Sequence, residues 1–295
     1  MTRPYAPASA CRMFPHTLRL PGRLGSAVDP GLDGRSPLRA ALVAVTTLAV
    51  ITGTSRGIGA GIAAAAANAG AAVAVCNRTA TGHDTELVAD LSQPSAWAEV
   101  ASWYDDLVAA QAPDRVLFIH NSATLTPIGF AGDVDAAAYE RLVLLDSAAP
   151  QVLGDAVIRT AHRHTTPTVV MQLSSGAASN PFPGWSGYCA AKAAVEMWVR
   201  SVAAERGGTD DGDSDGERDG LVRVAAIRPG VVDTGMQAEI RSSDASDFPG
   251  VERFHQLHET GALRHPDEVG AMVWEASVAE SWANGAILDV NEPTW

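Results

Sequence analysis

Tyr188 and Lys192 stand four residues apart in the stretch Tyr188-Cys189-Ala190-Ala191-Lys192. On a helix that spacing puts both side chains on one face, and Ala190 to Ala204 has the composition of a helix. An ammonium beside a phenol stabilises the phenolate and lowers the tyrosine pKa from about 10 toward neutrality. A tyrosine tuned in this way can give a proton to a carbonyl oxygen while hydride arrives at the carbon. Lys192 is the only lysine in a chain with four tyrosines. The two types would meet at this spacing by accident in roughly one such chain in seventy-five, a useful false-positive rate for a short motif. A compact ammonium also suits simultaneous contact with ribose hydroxyls and a phenol, which a planar guanidinium suits less well. Ser175 lies 13 residues before Tyr188, just past the apolar run Val169–Leu173. A hydroxyl at a strand end, where open α/β sheets bind ligands, can polarise a substrate carbonyl. Ser174 is the alternative hydroxyl, with capping of the strand-to-loop turn as its other role.

A second set of residues could hold a cofactor. Leu48–Thr52 is a short apolar run leading into Gly53-Thr54-Ser55-Arg56-Gly57-Ile58-Gly59, and an alanine-rich helical stretch follows to Gly70. Glycines let the chain turn sharply and let a pyrophosphate approach the main chain, while a helix N-terminus offers free N–H groups. Gly53, Ser55, Arg56, Gly57, Ile58 and Gly59 are therefore expected at a dinucleotide. The next apolar run ends Cys76-Asn77-Arg78, with no acid at its tip. An acid there binds the ribose 2′-hydroxyl of NAD, whereas an arginine accepts a 2′-phosphate. Arg78 and Arg56, with Asn77 between the strand and the arginine, favour NADPH.

These groups need a scaffold, and the rest of the chain supplies the pattern for one. Apolar runs at Leu48–Thr52, Ala71–Cys76, Glu86–Ala89, Val116–Ile119, Val169–Leu173, Val222–Ile227 and Ala286–Val290 alternate with helical stretches. Such alternation predicts βαβ units and a parallel sheet covered on both faces. The fold class expected is α/β, one doubly wound Rossmann-like domain over residues 45–295.

Composition narrows the partners. The 295-residue chain carries a formal net charge of −13, which opposes phosphate-backbone binding and so excludes a nucleic-acid partner. No apolar run reaches the roughly 20 residues of a membrane span, and no basic amphipathic stretch suggests a membrane surface. Cys11, Cys76 and Cys189 have neither metal-ligand nor disulfide spacing, so no metal is expected and a reducing cytoplasm is. Residues 1–44 hold six arginines and several prolines without periodicity, and Asp29 is their first acid. Pro4, Pro7, Pro15 and Pro21 break any amphipathic targeting helix, so this stretch reads as a disordered extension or a misassigned start. Thr209–Asp219 (TDDGDSDGERD) carries six acids and one arginine. It reads as a solvated surface loop, within 207–220, rather than a calcium site, because its acids do not follow the calcium-loop order.

With these residues placed, the chain from about Leu48 to Asp289 resembles the short-chain dehydrogenases/reductases. That family carries T-G-x-x-x-G-x-G, an N-A-G-like strand end, a serine 13 before the tyrosine, Y-x-x-x-K and P-G-x-x-x-T. Here these read Thr52 to Gly59, Asn121-Ser122-Ala123, Ser175, Tyr188 to Lys192, and Pro229-Gly230-Val231-Val232-Asp233-Thr234. The resemblance implies a seven-stranded parallel sheet, a homodimer or homotetramer, and Ser175, Tyr188 and Lys192 as catalytic residues. It also implies Asp90, Leu91 and Asn121 on the adenosine side, and Pro229, Gly230, Val232 and Thr234 around the nicotinamide.

A narrower likeness runs through Pro181-Phe182-Pro183-Gly184-Trp185 and Asp233-Thr234-Gly235-Met236-Gln237. These look like the sepiapterin reductases and the bacterial benzil reductases, which reduce one carbonyl of a vicinal diketone. Trp185, Gly230, Met236 and Asp289 are then expected at the substrate beside Ser175. Asp289 matches an aspartate that anchors the pterin in sepiapterin reductase; its other reading is a surface acid closing the last strand. The implied activity is NADPH-dependent reduction of a small α-dicarbonyl or pterin-like carbonyl. A 3-oxoacyl reductase and a non-catalytic NADPH sensor are the alternatives. Two positions depart from the family: Asp146 stands for an asparagine of the proton relay, and His120 for the first asparagine of the strand end.

Overall fold

The computed structural model describes residues 46–206, 220–293 and 295. The expected N-terminal extension (1–44) and most of the acidic loop (207–219) lie outside the described residues. Seven strands form one sheet, all pairs parallel: β1 (Thr47–Thr52), β2 (Ala72–Asn77), β3 (Glu86–Val88), β4 (Arg115–His120), β5 (Thr168–Leu173), β6 (Val222–Arg228) and β7 (Ile287–Asp289). Their order is β3-β2-β1-β4-β5-β6-β7. Each apolar run of the sequence becomes one of these strands. β7 is shorter than expected because Ala286 closes a turn, its N–H donating to the Ala283 carbonyl at 2.9 Å.

Strand composition explains the layering. All six residues of β5 are buried, as a central strand of a parallel sheet requires. Alternate side chains leave the sheet on opposite faces. On one face Val50, Val116, Phe118 and Val170 meet α2 (Pro94–Gln111), α4 (Ala149–His164) and α5 (Ser186–Arg206). On the other, Ile51, Leu117, Ile119 and Met171 meet α1 (Gly57–Asn68) and α8 (Pro266–Ala279). Shorter helices α3 (Ala136–Val143), α6 (Gly235–Arg241) and α7 (Val251–Glu259) lie beyond the carboxyl ends of the strands. The strand order reverses between β1 and β4, which opens a crevice at their carboxyl ends.

A π-helical turn, Leu144–Ala148, joins α3 to α4. Pro150 accounts for it. With no N–H, Pro150 cannot close the α-helical bond to the Asp146 carbonyl. The ladder slips by one residue, and the Ala149 N–H donates to the Leu144 carbonyl, five residues back.

Phe118 is 2% exposed and meets Tyr104 edge to face at 5.8 Å between ring centroids, so this contact ties α2 to the centre of the sheet. Phe118→Ala is expected to lower unfolding free energy by about 3–5 kcal/mol, read from urea denaturation followed by circular dichroism. A loss under about 1 kcal/mol would mean that this layer tolerates a void.

Candidate active site

The crevice is a cleft of about 660 Å³ running from Arg78 and Asp90 at one end to Tyr188, Met236 and Glu239 at the other. Its floor is the β1–α1 turn. Gly53 takes φ +73°, and a Cβ there would sit 2.8 Å from Ser122 Oγ. A Cβ on Gly59 would lie 2.1 Å from the Gly53 carbonyl oxygen, so that glycine is needed for the turn to close. Asn121 pins the same turn from β4, its Nδ2 donating to the carbonyls of Gly53 (2.8 Å) and Thr52 (3.2 Å). Arg56 precedes α1 with extended backbone, no side-chain cap is made, and the first turn holds no acid. The N–H groups at this helix start are left to a ligand, and its dipole favours an anion.

The structure brings most of the expected cofactor residues to this cleft. Gly53, Ser55, Arg56, Gly57, Ile58, Asn77, Arg78, Asp90, Leu91, Asn121, Tyr188, Lys192, Pro229 and Thr234 line it. Gly59 does not, because it packs beneath the turn. Val232 is buried in the core against α8 and paired by an isolated bridge to Arg264, and Gly230 lies against Asn291. Neither lines the cleft. Arg78 is exposed at the rim. The Arg56 guanidinium carbon lies 3.8 Å from the Cβ position of Gly235, beside the start of α6.

Glu86 is a participant that the sequence did not disclose. Its carboxylate accepts from Asn77 Nδ2 at 3.0 Å, from the Thr81 hydroxyl at 2.8 Å and from the N–H groups of Thr81 and Gly82. These hydrogen bonds, the one from Asn77 foremost, hold it down at about 2. Asn77 in turn accepts from the Thr54 N–H at 2.7 Å. Glu86 therefore organises the loop that carries Arg78 without itself lining the cleft.

At the other end stand the phenol and the ammonium. Tyr188 and Lys192, on one face of α5, are 7% and 4% exposed. Lys192 Nζ lies 5.6 Å from the Tyr188 ring centroid, 3.5 Å from Asp146 Oδ2, and donates to the Leu173 carbonyl at 3.3 Å. Burial pushes the Tyr188 phenol upward and Lys192 pulls it back. The net direction is upward, against the lowering expected from the pair alone, because desolvation of the phenolate outweighs the neighbouring charge. Ser175 hydrogen-bonds the phenol and accepts from the Ala177 N–H at 3.2 Å, capping a 3₁₀ turn, Gly176–Ala178. The Ser174 hydroxyl is taken up otherwise. It donates to Glu196 at 2.8 Å, and Glu196 is gripped by Arg228 through two bonds of 2.7 and 2.8 Å.

The expected substrate residues divide. Met236 lines the cleft, whereas Ser175 and Gly230 do not; at the end of β5 the lining is formed by Leu173 and Ser174. Trp185 does not line it either: it is 6% exposed, stacks on Phe248 at 4.5 Å and meets Tyr188 edge to face at 5.9 Å. Trp185 thus supports the tyrosine from behind. Asp289 turns to its own loop, its Oδ1 accepting from the N–H and Nδ2 of Asn291 at 2.9 and 2.8 Å. The mouth is instead lined by Leu125, Thr126, Ala138, Arg141, Leu145 and Glu239. The Thr126 hydroxyl bonds the Glu239 carboxylate across it. Nothing in their local sequence distinguishes these residues, since β4–α3, α3 and α6 meet only in the fold.

The comparisons with known proteins agree with this geometry. A family described as short chain dehydrogenase matches residues 47–245. The chain belongs to the short-chain dehydrogenases. It is 34% identical over 253 residues to a benzil reductase ((S)-benzoin forming) of Bacillus subtilis, which covers 83% of this chain and 98% of that one. It is 28% identical over 178 residues to the sepiapterin reductase of Rattus norvegicus, covering 59% and 63%. A solved short-chain dehydrogenase/reductase of Saccharomyces cerevisiae superposes with a TM-score of 0.68 at 21% identity, over 84% of this chain and 97% of its own. Short-chain dehydrogenases use nicotinamide cofactors, so this one is an oxidoreductase acting on carbonyl or CH–OH groups. Among the described residues no helix is long and apolar enough to cross a membrane.

Two buried titratable groups of the site act oppositely on stability. Burial, aided by Lys192, lowers His120 from 6.5 to about 3. Its unfolded form takes up a proton that the folded form refuses, so stability falls as pH drops from about 6.5 toward 3. Burial raises Asp146 from 3.8 to about 6, so its contribution is present at low pH and fades as pH rises through that window. His120→Asn removes the first effect alone. Between pH 4 and 6 its urea-unfolding free energy should differ from wild type with a slope of up to about 1.4 kcal/mol per pH unit. Parallel profiles would show that His120 is hydrated in the fold.

Proposed function

We propose that this chain is an NADPH-dependent carbonyl reductase that reduces one carbonyl of a small α-dicarbonyl or pterin-like substrate, with Tyr188 as proton donor. The observation that carries it is the placement of Tyr188 and Lys192 on the wall of the same cleft whose floor is the glycine turn. The turn suits a dinucleotide, because glycine at Gly53 and Gly59 lets it close tightly against Ser122 and Asn121 and leaves its main chain on the cleft floor open to a pyrophosphate. Exposed Arg78 supports a 2′-phosphate, since the Glu86 carboxylate is taken up by its own loop. Asp90 is likewise occupied, accepting from the Ser92 N–H and hydroxyl.

In this reading the bound nicotinamide supplies hydride to the carbonyl carbon. Ser175 donates a hydrogen bond to the carbonyl oxygen and removes charge from the carbon. Tyr188 gives that oxygen its phenolic proton, leaving a phenolate that Lys192 stabilises, and the product is the α-hydroxy ketone. Leu125, Ala138, Leu145 and Met236 offer apolar surface to the substrate's substituents, which suits an aryl or small alkyl diketone. The 34% identity to a benzil reductase supports the same substrate class. The family resemblance supports a homodimer or homotetramer, and the free thiols of Cys76 and Cys189 support a reducing cytoplasm.

The test is NADPH oxidation followed by absorbance with benzil, a simple aliphatic diketone and sepiapterin. Tyr188→Phe should lower kcat by about 10²–10⁴-fold with little change in KM. Arg78→Ala should raise the KM for NADPH about tenfold and leave that for NADH unchanged, as loss of one charge-assisted contact requires. Turnover that survives Tyr188→Phe would end the reading.

A further inference from the structure

Asp146 sits behind the phenol–ammonium pair, 1% exposed, on the π-helical turn. Its Oδ1 accepts from the Thr124 N–H at 2.8 Å, and its Oδ2 faces Lys192 Nζ at 3.5 Å. The phenol, the ammonium and the carboxylate are therefore neighbours in the inner wall of the cleft, none of the three residues more than 7% exposed. In such a region charges are weakly screened, and their effects on a third group add with sign. Lys192 favours the phenolate of Tyr188, and a carboxylate beside the ammonium opposes it.

Charged and titratable groups also face this row from every packed element. From β4 comes His120, whose ring nitrogens are buried without hydrogen-bond partners; burial holds it at about 3, so it is neutral at working pH. From α5 come Cys189, a thiol raised by burial, and Glu196, whose charge is met by Arg228 of β6. Ser175 and Thr124 contribute dipoles only. Asp146 is thus the group that remains to offset Lys192.

We propose that Asp146 is a positioning residue that cancels much of the Lys192 charge felt at Tyr188 and so keeps the phenol in its proton-carrying form at neutral and mildly alkaline pH. This rests on the reading of Tyr188 as proton donor. Burial sets the carboxyl at about 6, so the offset is present above that pH, where a donor would otherwise begin to lose its proton. The chemistry balances: Tyr188 loses one proton to the substrate oxygen per hydride delivered, and Asp146 neither gains nor loses one in the step.

The experiment compares wild type and Asp146→Asn in pH profiles of kcat/KM, for benzil reduction with NADPH and for benzoin oxidation with NADP. The carboxamide keeps the size of the side chain and still accepts from Thr124. The alkaline limb of reduction and the acid limb of oxidation should both move down by roughly one pH unit, a tenfold change in the proton equilibrium. A uniform loss of rate with both limbs in place, or an upward move, overturns the proposal. A second measurement needs no catalysis. The phenolate absorbance of unliganded Asp146→Asn should titrate about one pH unit below that of wild type, each with its own Tyr188→Phe variant subtracted, and an equal or higher value also overturns the proposal. If wild type fails to reduce benzil, or Tyr188→Phe still reduces it, the functional reading fails, while the phenolate titration still judges Asp146.

Discussion

An ammonium with almost no exposed surface must be compensated by fixed groups, and Lys192 imposes that requirement on the whole active face. Leaving a charge buried without partners costs several kcal/mol. The compensation comes from three directions: the Leu173 carbonyl at the end of β5, the Asp146 carboxylate on the π-helical turn, and the Tyr188 ring one helical turn back. Each of these fixes an element. β5 has to end at Leu173, α5 has to present one face to that end, and the α3–α4 junction has to bulge inward. Pro150 makes the bulge, because it removes the N–H that a regular helix would use there.

A second network holds the substrate side in register with the first. Glu196 is 3% exposed and joins Ser174 of the β5 end to Arg228 of the β6 end, while Arg228 also reaches the Ser179 hydroxyl at 2.6 Å. The chain from Ser174 to Ser179 is thereby held at both ends, with Ser175 between them. Behind it, Trp185 and the phenylalanines Phe248 and Phe254 form a stack that fixes the Tyr188 ring. Preorganisation of this kind lowers the reorganisation needed when a carbonyl oxygen gains charge.

Much of the scaffold was legible in the sequence because its signals are local. Short apolar runs divided by helical stretches give a parallel sheet, a glycine turn after the first run gives the floor of the cleft, and a lysine used once, four residues after a tyrosine, gives the phenol–ammonium pair on its wall. Signals that depend on convergence were not legible. Arg141, Glu239 and Thr126 come from separate elements and meet only at the mouth. Trp185 and Asp289 look, in sequence, as available to a substrate as Met236, yet the first is covered by Phe248 and the second satisfied by Asn291. Glu86 seemed an ordinary strand residue, since its partners Thr81 and Gly82 carry no pattern that marks a carboxylate-binding loop. The tyrosine's upward direction also escaped, because burial depth cannot be read from the spacing of two residues.

The single lysine has a consequence for reagents. Every other basic side chain is arginine or histidine, so the folded protein displays no ε-amine on its surface. An acylating label or an amine-directed crosslinker finds the α-amino group and, inside the cleft, Lys192. Labelling at that lysine would therefore act as a clock for opening of the wall between β5 and α5, and a bound dinucleotide would slow the clock. The same scarcity makes immobilisation through surface amines unsuited to this protein, whereas its acidic exterior offers carboxylates for attachment.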